Sequence, residues 1–109
     1  MTKLELIRLL GDVLTEIDTA IGDLLPSDPR QRQLEDLRLL LDDRQRRLSS
    51  KVFDDNTSGF QSATDRLNDI SAKIKATIAD VNKLQDTIAS INSFLGSVTS
   101  LLSTVGGLV

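Results

Sequence analysis

Apolar residues recur along most of the chain at three- and four-residue steps, the spacing of one face of an α-helix. The first run covers Lys3 to Leu25. Leu6, Leu10, Val13, Ile17, Ala20 and Leu24 form its stripe, and Leu9, Leu14 and Ile21 widen it. So broad a stripe predicts burial against two neighbours rather than one. Thr2 and Glu5 stand three apart at its start, the spacing of a capping box.

Leu25-Pro26-Ser27-Asp28-Pro29 interrupts the pattern. Pro26 biases Leu25 away from the helical region. Asp28 suits an N-cap, and Pro29 then takes the first helical position, where its missing N–H costs nothing. A second helix is predicted from Pro29 to between Lys51 and Phe53, with a stripe of Leu34, Leu37, Leu41, Leu48 and Val52 and with Leu40 beside it. The short link predicts that the two helices are antiparallel neighbours. Arg44 occupies the place of an expected apolar residue. It reads either as a snorkelling side chain at the rim or as a partner for another molecule's carboxylate.

Asp54 to Gly59 is polar, and Ser58 and Gln61 repeat the capping-box spacing. From Phe60 onward the chain shows its strongest signal. Phe60, Leu67, Ile74, Val81, Ile88, Leu95, Leu102 and Val109 recur every seventh residue. Ala63, Ile70, Thr77, Leu84, Ile91, Val98 and Val105 fill the alternate positions. This is an a/d heptad pattern with one polar exception, Thr77. It predicts a single long helix over 60–105, ended by Gly106-Gly107.

At about 1.5 Å per residue that helix would be roughly 65–70 Å long, against roughly 35 Å for each of the first two. The hairpin then covers only the first half of it, to about Leu84. The distal seam is left for another surface, unless the chain bends near Gly96 and folds back. The expected fold is therefore all-α: an antiparallel helical hairpin (1–53), a loop (54–59), a long coiled-coil helix (60–105) and a Gly-rich terminus (106–109), one helical domain expected to be oligomeric.

Composition narrows the chemistry. The 109 residues contain no Cys, His, Trp or Tyr. Disulfides, thiolate nucleophiles, imidazole bases and Cys/His zinc sites are excluded. The adjacent acids Asp42-Asp43 and Asp54-Asp55 come without a nucleophile–base pair or a phosphate loop, and neighbours on a helix do not face each other. No enzyme activity and no cofactor is expected.

Charge is uneven along the chain. Residues 1–29 hold two basic against six acidic side chains, and residues 30–51 hold seven basic against four acidic. This predicts complementary packing of the first two helices. The alternative is that Arg44, Arg46, Arg47 and Lys51 contact phosphates. Nucleic acid is not an expected partner, because the net charge is −3 and no aromatic is interleaved for stacking.

Asp54, Asn56, Ser58, Gly59, Ser62 and Asp65 match the ligand spacing of an EF-hand loop in part. Asp65 stands where a bidentate Glu belongs, and Gln61 where an apolar residue belongs. The set Asp54, Asn56, Ser58 and Asp65 is a weak calcium candidate beside the plainer reading of a helix cap, and no metal is expected.

Thr87 to Val109 carries no charged side chain. That length spans a bilayer in principle, but the segment is interleaved with Ser, Thr, Asn and Gly and lacks basic or Trp/Tyr anchors. Small residues such as Gly96, Ser97, Ser100 and Ser103 allow close helix approach, and Thr87, Asn92 and Thr99 offer hydrogen bonds across an interface. The sequence thus predicts a non-catalytic assembly protein that self-associates or binds a partner helix through Ile88, Ile91, Leu95, Val98, Leu102 and Val105. The alternative is a membrane-active or secreted helical component whose tail, 87–109, inserts in or lies on a bilayer. The N-terminus lacks the uncharged apolar run of a signal peptide, so the expectation is a cytoplasmic protein or one exported by a signal-independent route.

Overall fold

The computed structural model describes residues 1–106. These form four α-helices, α1 (Lys3–Asp23), α2 (Pro29–Ser50), α3 (Ser58–Ile78) and α4 (Leu84–Gly106), with one 3₁₀ turn, Val81–Lys83, between the last two. There is no strand among the described residues. Gly107, Leu108 and Val109, the end of the expected Gly-rich terminus, lie outside them.

Local signals start each helix. Thr2 accepts from the Glu5 amide while the Glu5 carboxylate accepts from the Thr2 amide at 3.0 Å, a complete capping box. These bonds to Thr2 hold the Glu5 carboxyl below its ordinary range. Asp28 accepts from Arg30 N at 2.9 Å, with Pro29 in the first turn of α2. For α3 the cap is Thr57, whose hydroxyl accepts from Phe60 N, and not Ser58. Gln61 is released from capping. Its Nε2 instead donates to the carbonyls of Met1 and Asp55, tying the start of α1 to the α2–α3 connection.

The helices form a four-cornered bundle, 44 Å along its axis. α1 and α2 run antiparallel, joined by Gln45 Nε2 to the Ile7 carbonyl and by Gln31 Nε2 to the Ile21 carbonyl. α3 lies parallel to α1, with Gln61 near Met1 and Lys75 near Glu16. α4 returns antiparallel to α3 and parallel to α2, so that Arg30 meets Val81 and Arg44 meets Thr99. α1 and α4 are diagonal, as are α2 and α3. The connection 51–57 therefore crosses the end of the bundle.

The main correction to the sequence reading is the long helix. The segment 60–105 is two helices, and the reversal falls at 79–83, well before Gly96. Asp80 adopts an extended conformation and caps the turn, its carboxylate accepting from Asn82 N at 2.9 Å. Asp-Val-Asn is a run of poor helix formers. Burial decides the outcome. Folding back encloses α4's apolar face within the chain, at roughly 1.5–3 kcal/mol per side chain, whereas a straight helix would expose it. α4 continues through Gly96.

The core is aliphatic apart from two phenylalanines. Leu6, Leu10, Ile17, Leu34, Leu41, Leu48, Leu67, Ile74, Ile91, Phe94 and Val98 are completely enclosed. The stripe expected for α1 is buried throughout. In α2, Val52 departs from its expected place and is 87% exposed, because the helix stops at Ser50 and Lys51 turns the backbone to an extended conformation. Phe53 packs inward instead, 5.4 Å from Phe60 between ring centroids. Leu40 is 44% exposed on the outer face.

Register in α3 and α4 also departs from strict a/d burial. In α3 the enclosed line is Phe60, Thr64, Leu67, Ser71 and Ile74, while Ala63 and Ile70 are half-buried. Thr64 and Ser71 satisfy their hydroxyls on the carbonyls of Gln61 and Asn68. In α4, Phe94 is enclosed and the heptad residue Leu95 is only half-buried. A straight helix of 3.6 residues per turn drifts off a seven-residue repeat, and a third neighbour shifts which line faces the centre.

Candidate interaction site

The residues expected to form an open seam are inside the bundle. Ile91 and Val98 are fully buried, Ile88, Leu102 and Val105 nearly so, and Leu95 lies at the edge. In the closed chain they contribute to the core and are not a free surface. The polar exception in the repeat has a structural partner: Thr87, itself fully buried, donates its hydroxyl to Thr77 Oγ1 at 2.7 Å across the α3–α4 hairpin. Thr77 donates its own proton to the Lys73 carbonyl. Asn92 stays exposed and Thr99 serves α2 instead.

Two crevices flank α4. Between α3 and α4, Gly59, Ala63, Gly96, Ser97 and Ser100 leave a shallow groove of about 570 Å³. A methyl group added at Gly59 or Gly96 would touch nothing within 4 Å. Between α2 and α4 a second crevice of about 490 Å³ is lined by Arg44, Arg47, Ser50, Lys51, Thr99, Leu102 and Ser103. Arg44 Nε donates to Thr99 Oγ1 at 3.1 Å. Both Arg44 and Arg47 also reach Asp43 Oδ2. Arg44 thus does bridge two helices, but within one chain.

The charge complementarity of α1 and α2 is realised by one ion pair among the described residues, Arg38 with Asp18. Arg46 pairs with Asp42 and Arg47 with Asp43, all on α2. Arg30 folds back on its own cap, Asp28, at 2.7 Å. This contact holds the Asp28 carboxyl below its ordinary range. The carbonyls of Ser49, in the last turn of α2, and of Lys51, just past it, are taken by Lys3 Nζ, which also lies 5.5 Å from the centre of the Phe53 ring.

The EF-hand-like spacing falls largely on helix. α3 begins at Ser58, so Gly59, Ser62 and Asp65 are already helical. Asp54 closes a local turn on Asn56 N, and Asp55 accepts from Lys3 N at 2.7 Å. Among the described residues no three metal-ligating side chains converge.

One carboxylate stands out. Among the described residues Glu16 Oε2 is buried without a hydrogen-bond partner, and Lys75 Nζ approaches its other oxygen only to 3.9 Å. Burial raises the Glu16 carboxyl above its ordinary value, Lys75 opposes this, and Asp12 adds to it. Thr19 lines the same crevice, but its hydroxyl donates to the Thr15 carbonyl. The segment Val81–Val105 has the length and hydropathy of a membrane span, with 44% of its most apolar window buried in the bundle, a property shared by core helices of soluble proteins.

The chain matches no protein-family model, and comparison with curated proteins and with solved structures returns no significant likeness.

Proposed function

We propose that this chain is a non-catalytic assembly module in which two copies exchange α4. The observation that carries this reading is the turn between α3 and α4. The seven-residue repeat passes through 79–83 without insertion or deletion, and the turn holds neither Gly nor Pro. Among the described residues no side-chain-bearing position needs a positive φ. The turn can therefore straighten into continuous helix without relieving or creating backbone strain. Straightening moves Ile88, Ile91, Leu95, Val98, Leu102 and Val105 out of their own bundle and into that of a second copy. The packing that α4 gives up within its own chain is remade against the other copy, so the balance rests on the turn and on concentration.

Substitutions in the turn test this. Asp80 is already extended, at φ −105° and ψ 109°, the conformation a following proline requires. Among the described residues no backbone acceptor takes the Val81 amide, while its carbonyl accepts from Arg30 Nη1. Val81→Pro thus suits the closed turn but would cost a continuous helix about 3 kcal/mol. Asp80→Ala with Asn82→Ala removes the cap and favours the straight form. Light scattering across concentration should show the alanine variant shifted to dimer and the proline variant held as monomer. If both stay monomeric at the highest attainable concentration, exchange is wrong. If the alanine variant instead binds phosphatidylcholine vesicles without dimerising, the released α4 seeks lipid, as its length and hydropathy allow.

A further inference from the structure

We infer that the crevice between the C-terminal half of α2 and α4 binds a phosphate group, free or carried on a lipid headgroup. Arg44 and Arg47 stand three apart on one face of α2, and Lys51, the extended residue just past its end, lines the same crevice. α4 supplies hydroxyls at the matching step, Thr99 and Ser103, over an apolar floor at Leu102. One carboxylate, Asp43, answers the three cations, and it serves both guanidinium groups at once. From Thr87 onward α4 carries no acid that would answer the rest.

Phosphate geometry suits these donors. Arg44 is anchored through Nε on Thr99 and Nη1 on Asp43, which fixes its plane and leaves Nη2 without a partner among the described residues, available to an oxyanion. Arg47, with a side chain 64% exposed, can swing from Asp43 to the ligand. Lys51 closes the far side with no carboxylate partner among the described residues. Of the carbonyls at and just past the end of α2, which would repel an anion, those of Ser49 and Lys51 are covered by Lys3 Nζ. A volume of about 490 Å³ exceeds what a single phosphate fills and leaves space for the group that carries it. The site stands whether α4 belongs to the same chain or to a second copy, so it does not depend on exchange.

Titration by two-dimensional NMR, first with inorganic phosphate and then with pyrophosphate at constant ionic strength, tests the inference. Saturable shifts should centre on Arg44, Arg47, Lys51, Thr99 and Ser103. Arg47→Ala and Lys51→Ala should each weaken binding about tenfold while leaving the helical spectrum intact. Asp43→Asn should strengthen it, because the competing carboxylate is gone. Vesicles of phosphatidylcholine with and without phosphatidic acid separate the sources: selective capture by the acidic vesicles, lost in the same variants, points to a headgroup, and binding of soluble phosphate alone to a free ligand. Non-saturating shifts matched by chloride, together with no preference for acidic vesicles, would overturn the site. So would unchanged affinity in both alanine variants.

Discussion

Phe94 and Leu95 are neighbours in sequence, and they separate the closed bundle from an extended heptad helix. Adjacent residues on a helix point about 100° apart, so only one of them can lie at the centre of a seam. The heptad assigns that place to Leu95. In the bundle Phe94 is fully enclosed and Leu95 is at the edge. Phe94→Ala removes a ring that buries on the order of 150–250 Å², worth about 4–6 kcal/mol at 25 cal/mol/Å². Partial collapse of the cavity brings the expected loss to roughly 3–5 kcal/mol. Leu95→Ala should cost about 1–2 kcal/mol, below the range for a completely buried leucine. The whole domain is stabilised by only about 5–15 kcal/mol, so the first loss is a large fraction of the total. Urea unfolding followed by circular dichroism gives both values. With a slope of about 1.5 kcal/mol/M, Phe94→Ala should lower the midpoint by roughly 2–3 M and Leu95→Ala by about 1 M. If Leu95→Ala proves the more damaging of the two, α4 does not pack against α3 with Phe94 at the centre.

Gly96→Ala is expected to stabilise the chain by about 0.5–1 kcal/mol, because a methyl there meets nothing within 4 Å and glycine is a poor residue inside a helix; a loss in thermal melting would mean the groove beside it is occupied. A double-mutant cycle of Thr77→Val and Thr87→Val should return a coupling of about 0.5–1.5 kcal/mol for their shared hydrogen bond, and strict additivity would show the bond to be absent. Glu16→Gln should raise stability at pH 7. The folded carboxyl is raised above its ordinary 4.5, so its contribution favours folding below that value and is lost as pH rises through the raised one; the glutamine advantage should shrink toward acid pH, and a pH-independent difference would contradict the burial argument. Calcium should leave the melting temperature unchanged, since Asp54 is engaged on Asn56 N and Ser58 and Asp65 already belong to α3; a saturable rise abolished by Asp54→Ala would show otherwise.

Features that depend on neighbours along the chain are legible in the residues alone. The helical stripe of α1, the capping box of Thr2 and Glu5, the Asp28-Pro29 start of α2 and the apolar character of α4 are all local, because propensity, capping and periodicity act within one or two turns. Even the cap of α3 is legible to within one residue, at Thr57 rather than Ser58. The reversal at 79–83 is only faintly written, in the poor helix formers Asp80, Val81 and Asn82, and the unbroken heptad masks that signal. Long-range packing sets the reversal, since the burial that favours it is gained between residues far apart in sequence. It also makes Phe94 rather than Leu95 central, leaves Val52 facing water while Phe53 turns in, and gives Thr77 its partner in Thr87. The crevice of Arg44, Arg47 and Lys51 belongs to the same class. The sequence shows Arg44, Arg46, Arg47 and Lys51 clustered toward the end of the second helix, but only the docking of α4 beside α2 brings hydroxyl groups opposite Arg44, Arg47 and Lys51 and makes a crevice of them. Periodicity records which face of a helix avoids water; which helix covers that face is fixed by the free energy of the whole bundle.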